Sequence, residues 1–236
     1  MLKYIVRKLL LGYKASSEDY INKIKMGGGT VGKNVTIFSP NKTYIDMLNL
    51  HLITIGSNVV MTGPVTLLTH DYSVFVCNNI NNGHLLGKQK PVIIGNNVFI
   101  GWGATILAGS EIGDNVVIGA GAVVSGKVQE NSVYAGNPAK RVCSIEEYIQ
   151  KREANQLKEA VDIYRLYYQR FGKEPDKSIF HEYFYLFSSN EQLTDLYKSK
   201  MSETGNYDKC LLYLKNHKPQ FESYESFCEY AKNKMK

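Results

Sequence analysis

The chain has 236 residues, of which 44% are hydrophobic and 21% charged, an ordinary balance for a folded protein that excludes bulk disorder. That length accommodates one full-sized domain and a smaller appendage. A formal net charge of +6 suits an anionic ligand or surface, but an excess this modest is ordinary for a solvated surface and does not point to nucleic acid. Four cysteines, Cys77, Cys143, Cys210 and Cys228, lack the C-x-x-C spacing of a zinc knuckle and read as reduced thiols of a cytoplasmic protein.

In residues 1–26, Leu2, Ile5, Val6, Leu9 and Leu10, then Tyr20, Ile21 and Ile24, recur at helical spacing on either side of 12–17. This predicts two short helices. Their expected role is to cap the open end of the structure that follows, with a membrane-surface anchor as the alternative. The apolar run Leu9-Leu10-Leu11 is too short for a signal-peptide core, and no stretch approaches the roughly 20 apolar residues of a spanning helix. Membrane contact is therefore expected to be at most peripheral.

From Ile94 an aliphatic residue returns every sixth position: Ile94, Ile100, Ile106, Ile112, Ile118, Val124. Four residues after each comes a second, mostly small one: Val98, Ala104, Ser110, Val116, Ala122, Val128. Gly95, Gly101, Gly113 and Gly119 follow the aliphatic slot, where a turn tolerates little side chain. A period of six fits neither the helical 3.6 nor a hairpin array and is the signature of a parallel β-helix. Three hexapeptides make one triangular coil, so Ile94 stacks under Ile112 and Ile100 under Ile118. The same phase runs upstream through Val31, Val35 and Ile37 and resumes at Ile55, Val59, Met61, Val65 and Leu67, with Thr43 and Asn49 breaking the aliphatic ladder between.

Leu67 and Ile94 are 27 residues apart, which is not a multiple of six, so a loop of about 71–91 is inserted. His70, in the stretch Thr69-His70-Asp71-Tyr72-Ser73, falls on a corner of its hexapeptide and can reach solvent. Asp71 falls on an inward slot, where an unpartnered carboxylate would cost several kcal/mol, about the desolvation of a charged group. The chain is therefore expected to leave the prism there, placing His70 at the root of the loop. An imidazole at such a point suits general base chemistry. Cys77 and Ser73 are possible nucleophiles, but neither has a second histidine at defined spacing.

After Val142 the hexad stops. Ser144-Ile145-Glu146-Glu147 forms a capping box that opens a helix to Phe171, ended by Gly172. Further helices are predicted over 176–187, 190–200, 207–216 and 222–232. The division expected is thus 1–26 capping helices, 27–142 β-helix and 143–236 α-helical region.

Gly95-Asn96-Asn97-Val98, Ile100-Gly101, Gly109, Ile112-Gly113-Asp114-Asn115, Ile118-Gly119-Ala120-Gly121 and the closing Ala135-Gly136-Asn137-Pro138-Ala139-Lys140 resemble the hexapeptide-repeat acyltransferases. Within that family the resemblance is to the sugar and polysaccharide O-acetyltransferases related to galactoside and maltose acetyltransferases, and it covers roughly residues 28–142. It implies a mainly β protein, a left-handed parallel β-helix with N-terminal helices, a protruding loop and a C-terminal α-helical appendage. It also implies a homotrimer, acetyl-CoA as donor in the crevice between neighbouring prisms, and a sugar or polysaccharide-precursor acceptor.

Carried onto this chain, the resemblance makes His70 the catalytic residue. Asn49, Asp46 and Asp71 become acceptor-binding candidates, and Trp102, Ala120, Lys127, Lys140 and Arg141 donor-binding ones. Three alternatives stay open: an N-acetyltransferase acting on an amino sugar nucleotide, a structural β-helix, and a metal-binding β-helix using His51, His70 and His84, which lack close spacing. No metal is expected, and no partner that orients the His70 ring is legible.

Overall fold

The aliphatic ladder closes into three parallel sheets in a computed structural model that describes residues 2–203 and 206–235. The chain divides into two compact units, Met1–Tyr148 and Ile149–Lys236. In the first, the strands visit the three sheets in turn, giving a left-handed parallel β-helix. The first face stacks Thr30–Val31, Ile53–Ile55, Val92–Ile94, Glu111–Ile112 and Lys127–Val128. The second stacks Val35–Ile37, Val59–Met61, Val98–Ile100, Val116–Ile118 and Ser132–Ala135, and the third Tyr44–Ile45, Thr66–Leu67, Thr105–Ile106 and Val123–Val124.

In the regular coils the stacking follows the 18-residue spacing: Ile94 pairs with Ile112, Ile100 with Ile118 and Ile106 with Val124, and all six side chains are buried. Each such side chain contributes roughly 1.5–3 kcal/mol through removal from water. The small slots Ala104, Ser110 and Ala122 are buried as well, because three faces converge on them.

Two details depart from the expected repeat. Ile45, not Thr43, fills the aliphatic slot and pairs with Leu67. The slip of two arises from an extra turn, in which the N–H groups of Lys42 and Thr43 both donate to Ser39 O at 3.1 and 3.0 Å. The last coil is two residues short, so Val128 pairs with Ile112 and sits in the first slot rather than the second.

The corner glycines stand where little side chain is tolerated, as expected, but the left-handed turn falls two residues later. The left-handed backbone at the corner between first and second faces belongs to Asn34, Asn58, Asn97, Asn115 and Asn131, all with φ between 53° and 57°. Asn97 donates to Asn115, and Asn115 to Asn131, each at 2.8 Å, forming a ladder of side-chain amides. Gly95 is needed for close approach instead. A Cβ there would meet the Gly113 carbonyl carbon at 2.8 Å.

Both ends of the prism are covered. Helix α1 is Leu2–Leu11 and α2 is Ser17–Met26, with Ser16 capping α2 through the Asp19 N–H. Tyr20 and Ile24 of α2 pack into the prism core, whereas α1 buries no side chain. At the other end Lys140–Ser144 returns antiparallel to Ser132–Ala135, and Ala139 N–H donates to Val123 O at 2.8 Å. The inserted loop leaves after His70, which bridges Gln89 in antiparallel fashion, and carries the short helix α3, Val74–Ile80.

Helix α4 runs Ile145–Phe171, opened by the reciprocal Ser144 and Glu147 hydrogen bonds and ended by Gly172 at φ 65°. The helix predicted over 176–187 is instead two short turns, Lys177–Phe180 and Phe184–Leu186. Phe184, Leu186 and Phe187 all turn inward. Helices α5 (Asp195–Glu203), α6 (Tyr207–Asn216) and α7 (Tyr224–Asn233) complete the second unit around Tyr164, Phe180, Phe184, Phe187, Tyr197 and Phe227. Of the tyrosines of this unit, Tyr164 and Tyr197 are fully buried in that core.

Candidate active site

The end of the third-face strand Thr66–Leu67 sets the position of His70. Thr69 is still inside the prism and its carbonyl accepts from Lys90 N–H at 2.9 Å, while Asp71 N–H donates to Lys88 O at 3.0 Å. These two bonds close the root of the loop, and His70 lies between them with its side chain 19% exposed.

The preceding coil supplies its partner. Because Ile45 pairs with Leu67, the next residue, Asp46, is carried to the same corner, where its N–H donates to Leu67 O at 3.0 Å. The Asp46 side chain is fully buried, and His70 Nδ1 lies 2.5 Å from its Oδ2. Thr69 Oγ1 donates to the same oxygen, Asn49 Nδ2 reaches it at 3.4 Å, and Leu48 N–H donates to Oδ1 at 3.1 Å.

Burial alone would raise the Asp46 carboxyl. The hydrogen bonds from Thr69, His70, Leu48 and Asn49 outweigh it and hold the group at about 2, so it is an anion at neutral pH. With Nδ1 engaged, Nε2 is the ring nitrogen left to exchange a proton. Tyr72 sets its ring edge-on to the imidazole at 4.7 Å.

His70 faces two cavities along the edge between the third and first faces. One, about 410 Å³, is lined by Leu68, Tyr72, Lys88, Leu107, Ala108 and Ser125 among others. The second, about 500 Å³, lies under the loop and includes Leu48, Asn49, Tyr72, Phe75, Asn78 and Leu86. Asp71 borders both, and its carboxyl is lowered to about 2 by the Lys88 ammonium at 2.6 Å and by the Ser73 N–H.

The other sequence candidates are dispersed. Trp102 and Ala120 are exposed at the opposite edge, between second and third faces, where Gly121 N–H donates to Trp102 O at 2.8 Å. Lys140 and Arg141 lie on the return strand along the second face. Lys127 sits on the first face beside the His70 edge, with its ammonium 3.5 Å from Glu111. Among the described residues, no three His, Cys, Asp or Glu side chains are grouped to hold a metal ion. The contacts of Thr69 and Tyr72 with this site were not legible in sequence, nor was Asp46 as the His70 partner. The signal that locates Asp46 is the apolar-then-acidic step Ile45-Asp46, legible only once the register slip is known.

Comparison with known proteins agrees with this architecture. The family described as bacterial transferase hexapeptide (six repeats) matches residues 91–126. Protein CapG of Staphylococcus aureus is 40% identical over 136 residues, spanning 56% of this chain and 73% of that protein. A putative lipopolysaccharide biosynthesis O-acetyl transferase of Escherichia coli (strain K12), WbbJ, is 30% identical over 132 residues, 52% of this chain and 67% of the relative.

The chain belongs to the hexapeptide-repeat acetyltransferases. The solved structure of a galactoside acetyltransferase in complex with coenzyme A shares 30% identity, with 61% of this acetyltransferase and 80% of that chain covered, at a TM-score of 0.42. No helix among the described residues of this acetyltransferase is long and apolar enough to cross a membrane.

Proposed function

We propose that this acetyltransferase moves the acetyl group of acetyl-CoA to a hydroxyl of a sugar or surface-polysaccharide unit, with His70 as general base. The observation that carries this reading is the His70–Asp46 pair, 2.5 Å apart at the loop root and open to two cavities. The relatives named as O-acetyl and galactoside acetyltransferases support a sugar acceptor, and the coenzyme A complex among them supports the donor.

In this mechanism His70 Nε2 removes the proton of the acceptor hydroxyl as its oxygen attacks the thioester carbonyl. The tetrahedral adduct collapses, the carbon–sulfur bond breaks, and the imidazolium returns the proton to the departing thiolate. The products are an acetyl ester and the free thiol of coenzyme A. Asp46 holds the proton-bearing Nδ1 and balances the transient charge on the ring, which an anionic, buried carboxylate does well. In this reading Asp46, buried against His70, serves the histidine rather than the acceptor, where the sequence had placed it. Asn49 and Asp71, which border the loop cavity, remain the acceptor-side candidates.

Trp102, Ala120, Lys140 and Arg141 lie away from the His70 edge of the same chain, so a donor site using both sets needs two copies. This favours the homotrimer, and light scattering is expected to give three times the chain mass of 26.6 kDa. Four free cysteines fit a cytoplasmic setting.

The test is thiol release from acetyl-CoA against a panel of sugars, native against His70→Ala, with the product treated with mild base. A base-labile acetyl group on a hydroxyl sugar is the expected result. A base-stable amide on an amino sugar would establish N-acetylation instead, and full transfer by His70→Ala would remove His70 from the chemistry.

A further inference from the structure

We propose that α1 is a docking helix for an anionic phospholipid surface. At about 100° per residue, Ile5, Leu9, Leu2, Val6 and Leu10 form one contiguous arc of roughly 140° on α1. All five are exposed, Leu2, Leu9 and Leu10 to 76%, 82% and 78% and Ile5 and Val6, partly shielded, to 47% and 48%. Five apolar side chains in one stripe are too many to be scattered surface residues.

The opposite flank of α1 is tied down. Tyr4 Oη donates to Asp19 Oδ2 at 2.9 Å, and the Lys8 ammonium pairs with Asp19 Oδ1. Asp19 belongs to α2, which is anchored through Tyr20 and Ile24 in the prism core. The two contacts thus fix α1 by its polar side and turn the apolar arc outward. The helix is held in place, but not by its own hydrophobic face.

Charge selects the occupant. Residues 2–14 carry Lys3, Arg7, Lys8 and Lys14 and no acidic residue. Lys3 and Arg7 lie along the margin of the arc next to Leu10, so the stripe is edged by cations. A second copy of the same face would bring like charges together across a two-fold axis, which disfavours self-association. An apolar stripe edged by basic side chains matches a boundary where acyl chains meet anionic headgroups.

The test is co-sedimentation of the full chain with vesicles of phosphatidylcholine alone or mixed with phosphatidylglycerol. Binding to the mixed vesicles, released by raised salt and absent from phosphatidylcholine alone, is expected. Leu9→Gln with Leu10→Gln should lower the partition coefficient about tenfold or more. Lys3→Gln with Arg7→Gln should lower it by a similar factor, about fivefold for each cation removed. All four side chains are solvent-facing, so native-like melting and unchanged thiol release from acetyl-CoA are expected in both variants. Equal sedimentation with and without the anionic lipid would overturn the proposal, as would native-like binding by the variants. A loss of oligomer mass in Leu9→Gln/Leu10→Gln would overturn it in favour of an interface between copies.

Discussion

The coils between Val92 and Val124 and the coil between Phe38 and Leu52 are built from the same three-sided geometry, yet they do opposite work. In the regular coils every aliphatic slot meets its equal 18 residues on, and the result is a packed column. In the irregular coil an added turn at Ser39–Thr43 shifts the ladder by two, so that Ile45 keeps the core continuous while Asp46 is carried to the corner beside His70. Regularity holds the prism together. This interruption places a buried anion beside His70.

Substitutions that hit one region and spare the other sharpen this contrast. The largest effect is expected for His70→Ala, which should lower acetyl transfer about 10³-fold, the usual share of a general base, while the protein still folds with some loss of stability from the hydrogen bond removed from Asp46. Ile112→Ala is the converse. It removes a side chain stacked between Ile94 and Val128 and should cost about 2–5 kcal/mol in denaturant unfolding, with KM of the folded protein unchanged.

Asp46→Asn belongs to both regions. It should reduce transfer on the order of 10²-fold through loss of the held tautomer, and it should also lower stability. The native carboxyl sits at about 2 against an unfolded value near 3.9, so the folded pKa is depressed. Its contribution, roughly 2 kcal/mol, is complete above about pH 5 and fades as pH falls through 4 to 2. The native protein and the Asp46→Asn variant should therefore differ in unfolding free energy at pH 7 and converge towards pH 2. A difference that grew on acidification would contradict the Asp46 assignment. The smallest effect is expected for Lys88→Ala, which removes an exposed partner of Asp71 and should leave the melting temperature where it was.

Much of this architecture is legible in the sequence, because a period of six with paired inward slots admits few solutions and the ladder from Ile94 to Val124 is unbroken. His70 is legible for a related reason: a loop insertion shows as a phase error, and the residue before the error is its root. Asp46 is legible as a candidate but not in its role. The hexad count puts Thr43 in the aliphatic slot, and only the turn at Ser39 and the pairing with Leu67 reveal that Ile45 takes it. The left-handed turn of the corner asparagines is not legible in the hexad count, because glycine and asparagine share that region and the glycines stand two positions earlier. The turns of residues 177–187 are misread because buried phenylalanines at spacings of three and four imitate a helix.

A parallel β-helix has no natural length. Each coil presents backbone donors and acceptors ready for another, so a bare end is a template for uncontrolled growth. Here the segment from Gly136 to Ser144 acts as a stop: Val123 N–H donates to Gly136 O, Ala139 N–H donates to Val123 O, and the chain then turns antiparallel along Ser132–Ala135. With α2 packed into the core at the first coil, neither end of the prism is left as a bare template, and the number of coils stays fixed.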